Sequence, residues 1–351
     1  MMMSRMWNMR SVIAAVAAVA CAVLLPSCAL ESSSPTTSDD GLTVVKVGYL
    51  HTVAVDSHMW LGIEEETFEE HGLKLEPVEF DTGTALSQAL SGGSVDVAIM
   101  GAVLSNFPAQ GTGKVFLAND VEFDTAQLWA APGSGIRSVE DLAGEQVITA
   151  TGTTAHVYLH NALEQEGVDP DEVRVANADM PSAVTAFVSG QVPAVVLWVP
   201  FDETVKDEMP EAELISSAQD YYPESSIIGG WVANDDFYEA ERGTLVQLTT
   251  AWLDINDQLL DDTSAAMTTV HDAAYADNQE LEDTLRQFEF AKLYANDTWA
   301  QKYSSGDLEA SIGDVEQIFV ELGGIDEFVE PNQFVDTDIY LDAYAEWKEQ
   351  G

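Results

Sequence analysis

The chain has 351 residues, 46% of them apolar, enough for one large or two medium hydrophobic cores. Its formal net charge is -48, with 61 Asp and Glu against 13 Lys and Arg. That balance excludes nucleic acid or an anionic lipid surface as a partner, because both would be repelled. The acids are spread along the chain, as suits solubility in a salty medium. The densest patch, Glu64-Glu65-Glu66 with Glu69-Glu70, reads as a solvated helix face rather than a metal site.

In chain order the first element is an export signal. Arg5 and Arg10 precede the apolar run "SVIAAVAAVACAVLL" (11–25), the charged and apolar regions of a secretory leader. The run is shorter than the roughly 20 apolar residues of a spanning helix. "LLPSCALESSS" resembles a bacterial lipobox, with Leu25 at the third position before Cys28 and Ser27 just before it. The resemblance implies removal of residues 1–27 and a lipid on Cys28; an ordinary secretory signal is the alternative. Cys21 would leave with the signal, so no pair remains for a disulfide and no cysteine cluster for a metal. Residues 28–43, with "ESSSPTTSDDG", read as a flexible tether.

From residue 44 strands and helices alternate. "VVKVGYL" (44–50) is a near-continuous apolar strand of the kind buried on both faces of a parallel sheet. A helix is predicted from Ser57 to His71, with Gly72 placed to end it. "LKLEPVEF" (73–80) follows as a strand that Pro77 assigns to an edge or a bulge. A short helix over 84–91 leads into the strand "VDVAIMG" (95–101).

This last unit recurs. "TALSQALSGGSVDVAIMG" (84–101) and "SAVTAFVSGQVPAVVLWV" (182–199) both read as an apolar-faced helix, a Ser-Gly stop and a buried strand. Val95 and Val192 are 97 positions apart, Gly72 and Gly167 are 95 apart, and Asp81 and Asp179 are 98 apart. Three matches near one offset imply two lobes of similar α/β construction. The segment after residue 236 is mostly helical, with "LVQLTTAWLDINDQLL" and "LEDTLRQFEFAKLYA" carrying apolar residues at helical spacing. Helices with no sheet of their own must pack on something, so the chain is expected to return to the first lobe. The expected arrangement is lobe one over 44–128 and 230–351, lobe two over 129–229, and two crossovers between them.

Ligands of parallel α/β sheets sit at the carboxyl ends of the strands. Lobe one offers His51 and Thr52, then Asp81 to Thr84, then Gly101 and Ala102; lobe two offers "GTTAH" (152–156), Asp179 and the corner at Trp198. Gln127 and Trp231 lie near the crossovers. The first turn of a helix leaves unpaired N–H groups and the positive end of its dipole facing outward. Thr153 and Thr154 at such a start, after Gly152 and with His156 close by, suit an anionic group. No strand tip carries a lysine or arginine, so neutral donors, helix ends and a protonated histidine would do the binding. His156 and His160, at i and i+4, could instead share a metal with His51 or His58. The depth of His160 and the lack of a carboxylate between the pair weigh against that, and neither metal nor cofactor is expected.

"GTTAHVYLHNALEQEG", "AFVSGQVPAVVLWVPF", "FDTGTALSQALSGGSVDVAIMG" and "SVEDLAGEQV" together resemble solute-binding proteins of ABC importers, in the taurine, alkanesulfonate and nitrate group. The resemblance spans roughly 44–240 and implies a type II periplasmic-binding-protein fold, with its helical tail packed on lobe one. It implies closure of two lobes on a small sulfonate, taurine or an alkanesulfonate, with nitrate or another small anion as the alternative, and docking to a membrane permease of an ABC importer. The expected protein is a monomer, anchored outside the cytoplasmic membrane. By motif, Thr153, Thr154 and His156 would bind the anionic head, Gly101 and Ala102 would meet it from lobe one, and Trp198 would flank it. Gln127 stands where similar taurine receptors carry an acid, and Pro193 stands where the family has Asp.

Two rival functions remain open at this level. An enzyme on the same scaffold is the first, although no nucleophile elbow, phosphate loop or dinucleotide fingerprint is present. A receptor for a cationic or neutral solute is the second, using Asp81, Asp179 or Asp202 with the tryptophans as a cage.

Overall fold

The computed structural model describes residues 37–222 and 226–350, which belong to one compact unit. The predicted leader and Cys28 lie outside the described residues. The first part of the chain forms β1 (Thr43–Tyr49), α1 (Val53–Glu64), α2 (Thr67–Glu70), β2 (Leu73–Glu79), α3 (Gly83–Ser91), β3 (Val97–Met100) and β4 (Lys114–Glu122). The middle forms β5 (Ala126–Ala130), β6 (Gln146–Thr149), α4 (Thr154–Gln165), β7 (Arg174–Asn177), α5 (Met180–Val188), β8 (Ala194–Trp198), α6 (Phe201–Glu208) and β9 (Glu213–Ser217). The last part forms β10 (Ile227–Ala233), α7 (Asp235–Ala240), α8 (Arg242–Asp261), α9 (Thr263–Val270), α10 (Leu281–Phe288), β11 (Ala291–Lys292), α11 (Asn296–Ser305), α12 (Asp307–Glu321) and α13 (Thr337–Gln350).

Two sheets result. One has the order β11-β4-β10-β3-β1-β2 and the other β7-β6-β8-β5-β9. In each, the strands of the repeated unit are parallel: β1 with β2 and β3, and β6 with β7 and β8. The strand that the chain enters after each crossover runs against its neighbours: β5 is antiparallel to β8 and β9, and β10 is antiparallel to β3 and β4. The chain leaves the first sheet after Glu122, enters the second at Ala126, and is back in the first at Ile227. Both crossings thus come a few residues before the expected 128/129 and 229/230.

Each lobe has its own core. The first contains Val45, Val47 and Ile99 of its sheet together with Trp252, Trp299 and Tyr340 of the tail helices, so the tail packs on lobe one. The second is built around Val195, Val196, Tyr158 and Phe187. α3 begins at Thr82, whose hydroxyl accepts the Ala85 N–H at 3.1 Å, and α5 begins at Asp179, which accepts from Ser182 at 2.9 Å. β2 lies at the edge of its sheet, where Pro77 forfeits no central ladder bond.

Two predicted helices are interrupted. The one expected over 57–71 starts earlier, at Val53, and breaks at Glu66, which takes a left-handed φ of 56° before α2. Three consecutive acids at the negative end of a helix dipole oppose its continuation. In "LEDTLRQFEFAKLYA" the helix stops at Phe288, and Ala291–Lys292 pairs antiparallel with β4. The free edge of β4 captures a segment whose spacing alone reads as helix.

Candidate functional site

The first turn of α4 stands at the boundary between the lobes. Gly152, with φ of 76°, turns the chain into it, and Thr153 begins it in an extended conformation. No side chain caps this helix start. The Thr153 hydroxyl donates to the Ala150 carbonyl at 2.6 Å, and Thr154 Oγ1 accepts the Ala102 N–H from lobe one at 3.4 Å. The two threonines therefore shape the approach turn and bridge the cleft, leaving the Thr154 and Ala155 amides as donors, since that of His156 binds the Thr153 carbonyl.

Opposite lies a glycine shelf. Thr52, Gly83, Gly101, Ala102, Val103 and Glu122 of lobe one meet Thr153, Thr154 and Trp198 of lobe two around a cavity of about 60 Å³. A void of about 310 Å³ shares Gly83, Val103, Thr153 and Trp198 and continues past Asp81, Asn177 and Asp179. Trp198 forms the wall common to both and is itself braced edge-on by Phe201. No lysine or arginine lines either space among the described residues.

Glu122 contributes the one carboxylate of the smaller cavity. It is 5% exposed; its Oε2 accepts from Thr125 Oγ1 at 2.9 Å, while Oε1 is buried with no hydrogen-bond partner. Burial pushes its carboxyl up to about 7, only partly opposed by Thr125. Asp120, two residues earlier on β4, is raised well above the carboxylate range by burial and by the neighbouring charge of Glu122. A side-chain carbon at Gly101 would collide with Glu122 Oε1 and lie 3.5 Å from Thr154 Oγ1, so the glycine leaves the carboxylate and the threonine facing one small space.

Six of the expected site residues are thus gathered here: Thr52, Gly101, Ala102, Thr153, Thr154 and Trp198. Four are placed elsewhere. His51 stacks on Tyr275 with ring centroids 4.2 Å apart and contacts buried Asp56 at 3.3 Å. Burial works against its protonation, but Asp56 more than offsets this and raises it. It lines a separate acidic cavity of about 600 Å³. His156 accepts the Gly152 N–H through Nδ1 at 3.1 Å, and burial lowers it to about 4. It braces the turn, and burial favours its neutral form over the protonated histidine expected from the sequence.

Gln127 is buried in β5, where its Oε1 accepts the Trp129 indole N–H at 2.9 Å. Trp231 is 0% exposed, because β10 runs between β3 and β4 in the middle of its sheet, and its N–H is held by Asn119 at 3.1 Å. Both side chains are buried in the lobes and line neither cleft cavity, unlike the ligand contacts expected of them. The carboxylates suggested for a cation cage are also engaged: Asp179 caps α5, and Asp202 binds Lys206 at 2.7 Å. His58 is buried against Asn256 at 3.1 Å, away from His156. Glu122 was missed because an acid inside a strand usually faces water. Its signal is the i, i+2 pair of acids in "VFLANDVEF", a stretch otherwise dominated by apolar residues.

Residues 58–262 match the model of the family described as NMT1/THI5 like. The chain belongs to that family. A binding protein of Brucella abortus is 29% identical over 212 residues, which cover 60% of this chain and 63% of the relative, so the match spans under two thirds of that protein. The taurine-binding periplasmic protein of Escherichia coli is 26% identical over 182 residues, 50% of this chain and 54% of the relative. Among solved structures, the alkanesulfonate-binding protein SsuA of Xanthomonas axonopodis pv. citri, bound to MOPS, superposes with a TM-score of 0.63. It has 20% identity and covers 84% of this chain and 98% of its own. The desulfurization enzyme DszB has the same fold, with 12% identity and a TM-score of 0.61 over 86% of this chain and 99% of its own. This NMT1/THI5-like chain therefore has the two-lobed periplasmic-binding-protein fold, with its helical tail on lobe one.

Proposed function

We propose that the protein is an extracytoplasmic receptor that delivers a small sulfonate, taurine first among them, to an ABC importer. The observation that carries this reading is the pairing, across one cleft, of the uncapped α4 start with a buried carboxylate. The sulfonate oxygens would take the first-turn amides, where the dipole and unpaired N–H groups favour an anion without a basic side chain. An ammonium two carbons away would meet Glu122, which has an acceptor oxygen to spare. Trp198 and the glycine shelf would enclose the short chain between them. The names of the taurine and alkanesulfonate relatives support this ligand class. An unsubstituted anion such as nitrate would leave Glu122 unanswered.

The test is calorimetric titration of the purified protein with taurine, ethanesulfonate, nitrate and glycine betaine. Taurine is expected to bind at least tenfold more tightly than ethanesulfonate, the difference of a charged hydrogen bond worth about 1.5–3 kcal/mol. Equal affinity for the two would remove Glu122 from the ligand contact, and binding of betaine alone would overturn the sulfonate reading. The lipid at Cys28, on residues outside those described, is tested by incorporation of labelled palmitate, which Cys28→Ala should abolish.

A further inference from the structure

α4 of lobe two and α12 of lobe one meet beside the crossovers, where Val157 packs with Val315 and Phe319. About two helical turns along α4 from Thr153, His160 faces Glu164 of its own helix and Glu321 at the end of α12. His160 is 7% exposed, yet both of its ring nitrogens are buried without a hydrogen-bond partner. Its Nε2 lies 3.2 Å from a Glu321 oxygen and 3.6 Å from a Glu164 oxygen. The three ligand atoms all lie within 4.8 Å of one another.

These distances have a physical reading. At 3.2 Å Glu321 stands at the long end of the hydrogen-bond range and at 3.6 Å Glu164 stands beyond it, and Nε2 makes a hydrogen bond to neither. Ligands held about 2.0–2.1 Å from a tetrahedral ion stand about 3.3–3.4 Å apart, a value bracketed by the 3.2 and 3.6 Å spacings around Nε2. A buried imidazole with no hydrogen bonds, beside two carboxylates of a strongly acidic chain, is costly unless a cation joins them. Glu164 and Glu321 are 59% and 45% exposed, so an ion can reach the site from solvent.

We propose that His160, Glu164 and Glu321 form a binding site for a divalent transition-metal ion, with zinc as its fitting occupant, that pins α4 to α12 across the two lobes. One imidazole with two carboxylates suits zinc, whereas calcium and magnesium take oxygen-only sets. Water would complete the tetrahedron. The site shares no residue with the cleft lining, and the proposal is independent of the ligand assigned there.

The test is titration of the chelator-treated protein with zinc chloride by calorimetry, and with cobalt(II) followed by visible absorption. One tight equivalent is expected above weak binding to the acidic surface, with cobalt bands of a four-coordinate nitrogen and oxygen site. His160→Gln and Glu321→Gln should each weaken that equivalent at least tenfold and erase the cobalt bands. Glu321 is half exposed at a helix end, so its variant reports on the site even where the His160 variant folds poorly. Many weak sites with no tight equivalent, or a tight equivalent retained in both variants, would overturn the proposal.

Discussion

Glu122 carries a tension that can be measured in the absence of any ligand. Burial raises it from 4.5 to about 7, so the folded protein keeps a proton that the unfolded chain has already lost. Its favourable contribution is therefore fully present below about pH 4.5 and is lost as pH rises through about 7. The size is about 3 kcal/mol at roughly 1.4 kcal/mol per unit, shared with Asp120. Glu122→Gln is expected to be about 2–3 kcal/mol more stable than the parent at pH 8 and to lose most of this slope. Urea unfolding at pH 5 and pH 8 checks it, and parallel slopes in the two proteins would show that another group is responsible. Thr154 offers a second test at this scale. Its hydroxyl takes the Ala102 N–H across the cleft, so Thr154→Ala should weaken ligand binding about fivefold, or ~1 kcal/mol, with Thr154→Ser close to the parent. Both threonines were legible from the sequence, because a polar turn between a strand and a helix places its residues at a strand tip. Glu122 was not, because the burial of an acid in a strand depends on which face a neighbouring lobe covers.

Elements were legible where local pattern and tertiary environment agree. β1, β3 and α3 lie within two residues of their predicted bounds, since β-branched runs and a Thr cap specify them locally. β10 shows where the pattern is insufficient. Its insertion, antiparallel, between β3 and β4 buries Trp231, and nothing near "GGWVAND" encodes that neighbour. Asn119 of β4 then accepts both the Trp231 and the Trp252 indole N–H, at 3.1 and 2.9 Å, and donates to the Val55 carbonyl at 2.9 Å. It thereby ties a strand, a tail helix and α1 together. Asn119→Ala would leave the two buried indole donors without partners, at about 1–3 kcal/mol each, while the Val55 carbonyl keeps its bond within α1. The expected outcome is a fall of several kcal/mol in unfolding free energy, read by chemical denaturation, with ligand affinity of the folded fraction unchanged. A selective loss of affinity would return Trp231 to the binding site.

At the scale of the whole molecule, the charge of -48 means that the lobes repel each other before any specific contact acts. Among the described residues, contacts that oppose this repulsion can be named. Beside the 600 Å³ cavity, Arg286 of α10 reaches from lobe one to α6 of lobe two, where it pairs with Glu203 and lies 3.6 Å from buried Asp202. Lys206 neutralises the same two acids from within α6, so removing the arginine strips the bridge without leaving Asp202 wholly unpaired. The apparent affinity of a two-lobed receptor is scaled by the fraction of molecules already closed. A partly exposed bridge is worth about 1 kcal/mol, so Arg286→Gln should raise the apparent Kd about fivefold. It should also enlarge the ligand-free radius of gyration in small-angle scattering while leaving the ligand-saturated radius unchanged. Added salt should shrink the difference between variant and parent, because it screens the repulsion that the bridge opposes. If the scattering curves coincide without ligand and the affinities match, Arg286 contributes nothing to closure, and the lobes are held by the packing of Val157 on Val315 and Phe319 with the Thr154–Ala102 and His160–Glu321 contacts.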